Sequence, residues 1–205
     1  MSFKFASQKL LSGLFEPEGI YLTAPFEDEL PITQGWGESP AYYGQWRYNG
    51  VPMKGHMGID VRIAAGARLF AMDAGKVTEI SIDRGGFEHY IKIEHRWGES
   101  FYANTGAVLV ESGQSVARGE AIATTAQMDL ATRGASAGRQ SASVIFHFAI
   151  RVLPYNRYDG WGGFTDPLPY LAPGCVFLPE DAGDDARVSA PPHPMTDDRP
   201  GLRRP

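Results

Sequence analysis

The chain of 205 residues contains one cysteine, Cys175. An internal disulfide is excluded, and so is a zinc knuckle built from cysteines. No apolar run reaches the roughly 18 residues that a membrane-spanning helix needs. Positive charge is also scarce: 19 Lys and Arg stand against 24 Asp and Glu, for a net charge of −5. Nothing is left over to neutralise phosphates, so general nucleic-acid binding is not expected. A secretory leader is not evident either. Lys4 and Lys9 give a basic start, but the apolar stretch after them is short, is broken by Ser12-Gly13 and ends at Glu16. The expectation is a cytoplasmic protein, or one exported by a route not written in these residues.

What is present is glycine, proline and apolar matter. The 24 Gly and 15 Pro favour many turns and short strands over long helices. Hydrophobic residues at 43% and aromatics at 12% are enough for a sizeable core. The length suits one domain with appendages, and composition divides the chain into three segments. Residues 1–20 place Phe3, Leu10, Leu11, Leu14 and Phe15 at near-helical spacing before Pro17 and Gly19. This short helix either packs on the main domain or docks on a membrane surface or a partner. Residues 21–178 form the main domain. Residues 179–205 are charged and proline-rich, without aromatics, and read as a disordered tail in which His193 has no role.

Within the main domain, Leu69-Phe70-Ala71, Val77–Ile82, Tyr90–Ile93, Phe101–Ala103 and Val144–Ile150 read as strands. Gly85-Gly86, Trp97-Gly98 and Ser112-Gly113 break them apart. Gly113, Val116, Gly119 and Ile122 fit a tight hairpin leading into a strand. Residues 124–143 are small, polar and unpatterned, and read as a long loop. The fold class expected is all-β: a compact antiparallel structure with few helices.

Five histidines occur, at 56, 89, 95, 147 and 193. Two sit in settings that suit a metal. In Gly55-His56-Met57-Gly58-Ile59-Asp60-Val61, strand alternation puts His56, Gly58 and Asp60 on one face and Met57, Ile59 and Val61 on the apolar other. Gly58 adds nothing that would crowd a shared ion. A plain His–Asp hydrogen bond is the competing reading. In Val144-Ile145-Phe146-His147-Phe148-Ala149-Ile150, the apolar face is Val144, Phe146, Phe148 and Ile150. His147 lies on the other face, either ligating or as a core histidine bonded to backbone. Two His and one Asp leave a fourth position for water, as in hydrolytic zinc sites, and no fourth protein ligand of a structural site is evident.

The ordered motifs resemble the lysostaphin-type (LytM-like) zinc metallopeptidases that cut bacterial cell-wall peptides. The likeness runs over most of residues 23–172. It begins with Ile32-Thr33-Gln34-Gly35-Trp36-Gly37 and Gly55-His56-Met57-Gly58-Ile59-Asp60. It continues through Gly66–Ala71, Ala74–Val77, Ile91–His95, Phe101–Asn104 and Gly113–Ile122, then Ile145-Phe146-His147-Phe148 and Asp166-Pro167. The resemblance implies the β-sandwich (duplicated hybrid motif) fold of that family, with zinc in an open groove held by His56, Asp60 and His147. It also implies two further histidines that handle protons. Here those positions hold Asn104 and Ile145, and Ala149 stands where the family has an acidic residue. No catalytic residue is therefore assigned. His95 or His89 could take over only if the strands bring one of them close.

Two aromatic clusters flank the motifs: Tyr42, Tyr43, Trp46 and Tyr48, then Tyr155, Tyr158, Trp161 and Phe164. Tyr43, Trp46 and Trp161 are the candidates for contact with a peptide or peptidoglycan fragment, unless these loops simply fold back on the domain. Three functions remain open. One is a diverged, zinc-binding, peptide-binding protein with weak or no peptidase activity. Another is an active endopeptidase with rearranged catalytic groups. The third is a metal-free structural or assembly scaffold.

Overall fold

The computed structural model describes residues 19–82, 89–126, 143–171 and the backbone of 176–177. The strands are β1 (Leu30–Gln34), β2 (Arg47–Tyr48), β3 (Val51–Pro52), β4 (Ile59–Ala64) and β5 (Arg68–Phe70). They continue as β6 (Gly75–Ile82), β7 (His89–His95), β8 (Gly98–Ala103) and β9 (Thr105–Val108). The last are β10 (Ser115–Val116), β11 (Ala121–Thr125), β12 (Ser143–Val152) and β13 (Val176–Phe177). One short helix, α1 (Pro40–Tyr43), and one 3-10 turn at Leu168–Tyr170 are the helical parts among the described residues. The expected N-terminal helix, the 179–205 tail and Gly85-Gly86 lie outside those residues.

Eight strands form one sheet in the order β10-β6-β7-β8-β12-β4-β1-β13. Every neighbouring pair is antiparallel except β1 with β13, which is parallel. A second sheet, β5-β11-β9, covers one face of the first. Ile59, Val61, Ile91, Ile93, Phe146, Phe148 and Ile150 from the large sheet meet Leu69 and Ile122 from the small one in the main core. Each such side chain contributes about 1.5–3 kcal/mol by leaving water. The opposite face of the large sheet carries a second cluster with Tyr90, Phe101, Ala103 and Ala149. The period-2 patterns read from the sequence on β4 and β12 are this division into faces.

Three local expectations change. Val116 and Ile122 do not face each other across a hairpin: β10 pairs with β6, whereas β11 pairs with β5 and β9. The glycine-rich turn between them, with Gly119 at φ 74, carries the chain from one sheet to the other, and both side chains enter the same core. The 124–143 loop is shorter than expected, since Thr124 and Thr125 end β11 and Ser143 starts β12; residues 127–142 lie outside the described part. A hairpin that sequence reading passed over joins β2 and β3. Asn49 and Gly50 both have positive φ, 49 and 78, as a type I′ turn requires.

A polar cluster at the margin of the core is centred on buried Asp73. The Asp73 carboxylate accepts hydrogen bonds from Trp97 Nε1 at 2.9 Å and from Arg118 Nη2 at 2.7 Å. Burial opposes its ionisation, but the bonds from Arg118 and Trp97 prevail and hold it below the usual carboxylate range. A group depressed in this way adds stability that is complete above the unfolded carboxylate pKa of about 3.9 and is lost as pH falls through the lower folded value. Asp73→Asn is expected to cost about 1–2 kcal/mol at neutral pH. It should also flatten the fall in stability below about pH 4, as read by urea unfolding at several pH values.

Candidate metal centre

Asp60 on β4 and His147 on β12 are direct partners in the antiparallel ladder. Their side chains therefore leave the same face side by side. His56 comes from the loop before β4, not from the strand itself. That loop is pinned to the end of β1: Gly37 N donates to His56 O at 2.9 Å, and His56 N donates to Glu38 O at 3.0 Å. Met57, off the strand, packs in the second cluster and not beside Ile59 and Val61.

The three polar atoms converge. His147 Nδ1 lies 2.8 Å from Asp60 Oδ1, His56 Nε2 lies 3.1 Å from His147 Nδ1, and His56 Nε2 lies 3.3 Å from Asp60 Oδ1. A point equidistant in their plane is about 1.8 Å from each, so a centre at zinc's usual donor distance of about 2.0–2.2 Å sits just off that plane. His56 Nδ1–H donates to Gly35 O at 3.1 Å, which turns Nε2 toward the Asp60 carboxylate and His147 Nδ1. The three atoms thus share one small space that suits a single cation.

Charge states agree with that. Burial works to raise the Asp60 carboxyl, but His56 and the hydrogen bonds from His147 and His56 outweigh it and keep the group well below the ordinary range. Burial pushes the His147 imidazole down, against the pull of Asp60. An ionised carboxylate beside a neutral imidazole is the form in which such a set binds a divalent cation. The cluster His56, Asp60 and His147 can hold a metal ion.

The surroundings differ from an open groove. His56, Asp60 and His147 are only 3%, 3% and 1% exposed. Tyr43 stacks on His56 with ring centroids 5.6 Å apart, and Phe101 meets His147 edge-on at 6.1 Å. Tyr43 is thus buried support, not an exposed ring for a ligand; its hydroxyl donates to Gln34 Oε1 at 3.2 Å. Burial, with Asp60 nearby, pushes its phenol above the ordinary range. Trp46 and Trp161 are half-buried, and Trp161 stacks on Trp36 at 4.6 Å.

The positions that lack histidine are also placed. Ala103 is the partner of His147 on β8, and Asn104 comes next with a left-handed φ of 59. Ile145 lies two residues before His147, on the same face of β12. Ala149 is fully buried among aromatics. Neither spare histidine reaches the triad. His95 shares the opposite face of β7 with Ile91 and Ile93, stacks on Trp97 and bridges Ala74 O and Ser100 Oγ at 2.9 and 2.7 Å. His89 has the same parity on β7 and sits 3.3 Å from Gly106 O.

Sequence reading missed two supports. One is the Gly35 carbonyl behind His56. The other is Arg151, fully buried at the end of β12. Its guanidinium donates to Glu99, to the Tyr48 hydroxyl and to Gly162 O, and lies 3.9 Å over the Phe164 ring. It thereby holds together the two aromatic loops flanking the triad. An arginine in register with His147 and Ala149 on an apolar strand was the available signal.

Known proteins place the architecture. The family model for peptidase family M23 matches residues 54–156, half of the chain, and the chain belongs to that family. A lipoprotein of Escherichia coli (strain K12), YgeR, is 34% identical over 122 residues, covering 58% of this chain and 40% of that protein. A metalloprotease of Haemophilus influenzae is 30% identical over 78 residues, covering 38% of this chain and 16% of that protein. The chain therefore spans well under half the length of these relatives. Helicobacter pylori Csd3 in its orthorhombic crystal shares the fold, with a TM-score of 0.52 and 17% identity over 75% of this chain and 35% of that one. The likeness to a lipoprotein overturns the cytoplasmic expectation, which rested only on residues 1–20 lacking a leader pattern. Among the described residues no helix is long and apolar enough to cross a membrane.

Gly58 is the tightest constraint on the centre. A Cβ there would lie 2.5 Å from His147 Cε1 and 2.6 Å from Phe148 O. Gly58→Ala is expected to displace His147 and destabilise the fold by about 1–3 kcal/mol in denaturant titration; an unchanged midpoint would contradict the close approach.

Proposed function

We propose that this protein binds one zinc ion through His56, Asp60 and His147, binds a cell-wall-type peptide beside it, and hydrolyses that peptide weakly or not at all. The observation that carries this is the pairing of a converged two-histidine, one-carboxylate set with Asn104 and Ile145 at the positions where the family keeps its other histidines. Zinc in such a set would lower the pKa of a bound water and polarise a carbonyl.

The chain's own residues restrict the hydrolytic chemistry. The Asn104 amide can donate a hydrogen bond to a developing oxyanion, but it cannot take up and return a proton at neutral pH. Ile145 can do neither. A positioned acid or base contributes roughly 10²–10⁴ in rate, and one oxyanion donor roughly 10²–10³. The near-complete burial of all three donors restricts access further. Trp36 and Trp161, stacked and half-buried, offer an aromatic wall on which a peptide can lie. The lipoprotein relative supports a setting outside the cytoplasm.

Metal analysis of the full chain is expected to give one zinc per molecule, removed by chelator with a lower melting temperature. His56→Ala, Asp60→Asn and His147→Ala should each abolish stoichiometric loading; a wild type without zinc would contradict the reading. In a fluorogenic cell-wall-peptide assay the wild type should stay near background. The double variant Asn104→His, Ile145→His should raise chelator-sensitive cleavage by about 10²-fold or more. Strong chelator-sensitive cleavage by the wild type would instead favour an active enzyme with rearranged groups.

A further inference from the structure

Neither the core nor the donor set accounts for Gln34, at the end of β1. It pairs with Asp60, whereas Ile32, two residues earlier, pairs with Val61. Asp60 and Val61 are consecutive on β4 and point to opposite faces. Ile32 and Gln34 have the same parity and would share a face in a regular strand. The register shifts between them: two steps on β1 match one on β4, with Thr33 as the extra residue. Such a bulge re-aims a side chain. Ile32 therefore stays in the main core with Val61, and Gln34 is turned to the face that carries the triad.

Both ends of this carboxamide are used, as burial to 4% exposure demands. Its Oε1 accepts from the Tyr43 hydroxyl at 3.2 Å, and its Nε2 donates to Ser39 Oγ at 3.2 Å. Ser39 immediately precedes α1 and Tyr43 is its last residue, so one side chain clasps both ends of the helix. Four residues are too few to hold a helical turn by backbone bonds alone. Ser39 also has a left-handed φ of 55, which residues other than glycine seldom adopt, and its hydroxyl makes no cap to α1. The bond from Gln34 holds that hydroxyl instead. At the other end, the Tyr43 ring lies on the His56 imidazole, and both are buried.

We propose that Gln34 is a positioning residue for the metal centre: its carboxamide latches α1 so that the Tyr43 ring stays on His56, and the ion enters and leaves when this latch opens. This rests on the zinc reading above. Gln34 does not bind the ion, because both of its polar ends are taken within the protein. The latch governs the rate of metal exchange, while His56, Asp60 and His147 govern how many ions bind.

The test is the rate at which the zinc-loaded full chain gives up its metal to excess chromogenic chelator. Tyr43→Phe keeps the ring and removes the hydroxyl; it should load one zinc and release it about threefold to tenfold faster than the wild type. Gln34→Leu removes both bonds and should release it about tenfold faster or more. The double variant should be no faster than Gln34→Leu, since the bond to Tyr43 is already gone. Asp73→Asn lowers stability away from the triad and should leave the release rate unchanged. A second readout needs no metal: in the chelated protein, amide exchange at Tyr43 and Gly44, which donate to Ser39 O and Pro40 O, should be faster in Gln34→Leu. Equal release by wild type and Gln34→Leu, equal acceleration by Asp73→Asn, or amide exchange unchanged by Gln34→Leu would overturn the latch. A wild type that loads no zinc would contradict the metal reading, and the amide exchange would then decide the latch by itself.

Discussion

The register of β4 against β12 decides what this site can be. Asp60 and His147 lie far apart in the chain and have no local reason to meet. They meet because both strands present an apolar face to the main core, which leaves one alignment in which all of those side chains are inside. A slip of one residue would send the apolar set into the site and the two ligands into the core. The hydrophobic face thus holds the polar face in place. His56, from the loop, needs a separate anchor, and the end of β1 supplies it through the Gly35 carbonyl and the backbone bonds of Gly37 and Glu38.

The same sheet separates two kinds of buried polarity. On the core side, Asp73 pairs with Trp97 and with the exposed Arg118, and His95 pairs with Ser100, contacts that serve cohesion. On the other side, Asp60 and the two imidazoles bring three possible metal-binding atoms together at one buried point. Farther along the same side, Arg151 fixes Glu99 and the aromatic loops.

Much of this was legible in the residues. The alternation in Val144–Ile150 and in Ile59–Val61 told which side chains were inside, and Gly58 was read as leaving room for a shared ion; the group that comes close there is His147. Histidine and aspartate at fixed places in an ordered series of motifs carried the family. What was not legible depended on contacts remote in sequence. His56 is on a loop, because β1 holds it there. Tyr43 is buried, because it covers His56. Val116 and Ile122 enter different sheets, because the turn at Gly119 crosses the core. Arg151 could be seen as an anomaly on its strand, but its partners Tyr48 and Gly162 could not be named without the fold.

The central claim is that three donors surround one zinc ion. X-ray absorption at the zinc edge on the loaded full chain tests it most directly. The account predicts an inner shell of two imidazole nitrogens and light oxygen donors at about 2.0–2.1 Å, with the imidazole scattering reduced in a His147→Ala sample. A shell of oxygen alone, or one unchanged by that substitution, would place the metal elsewhere and contradict the account.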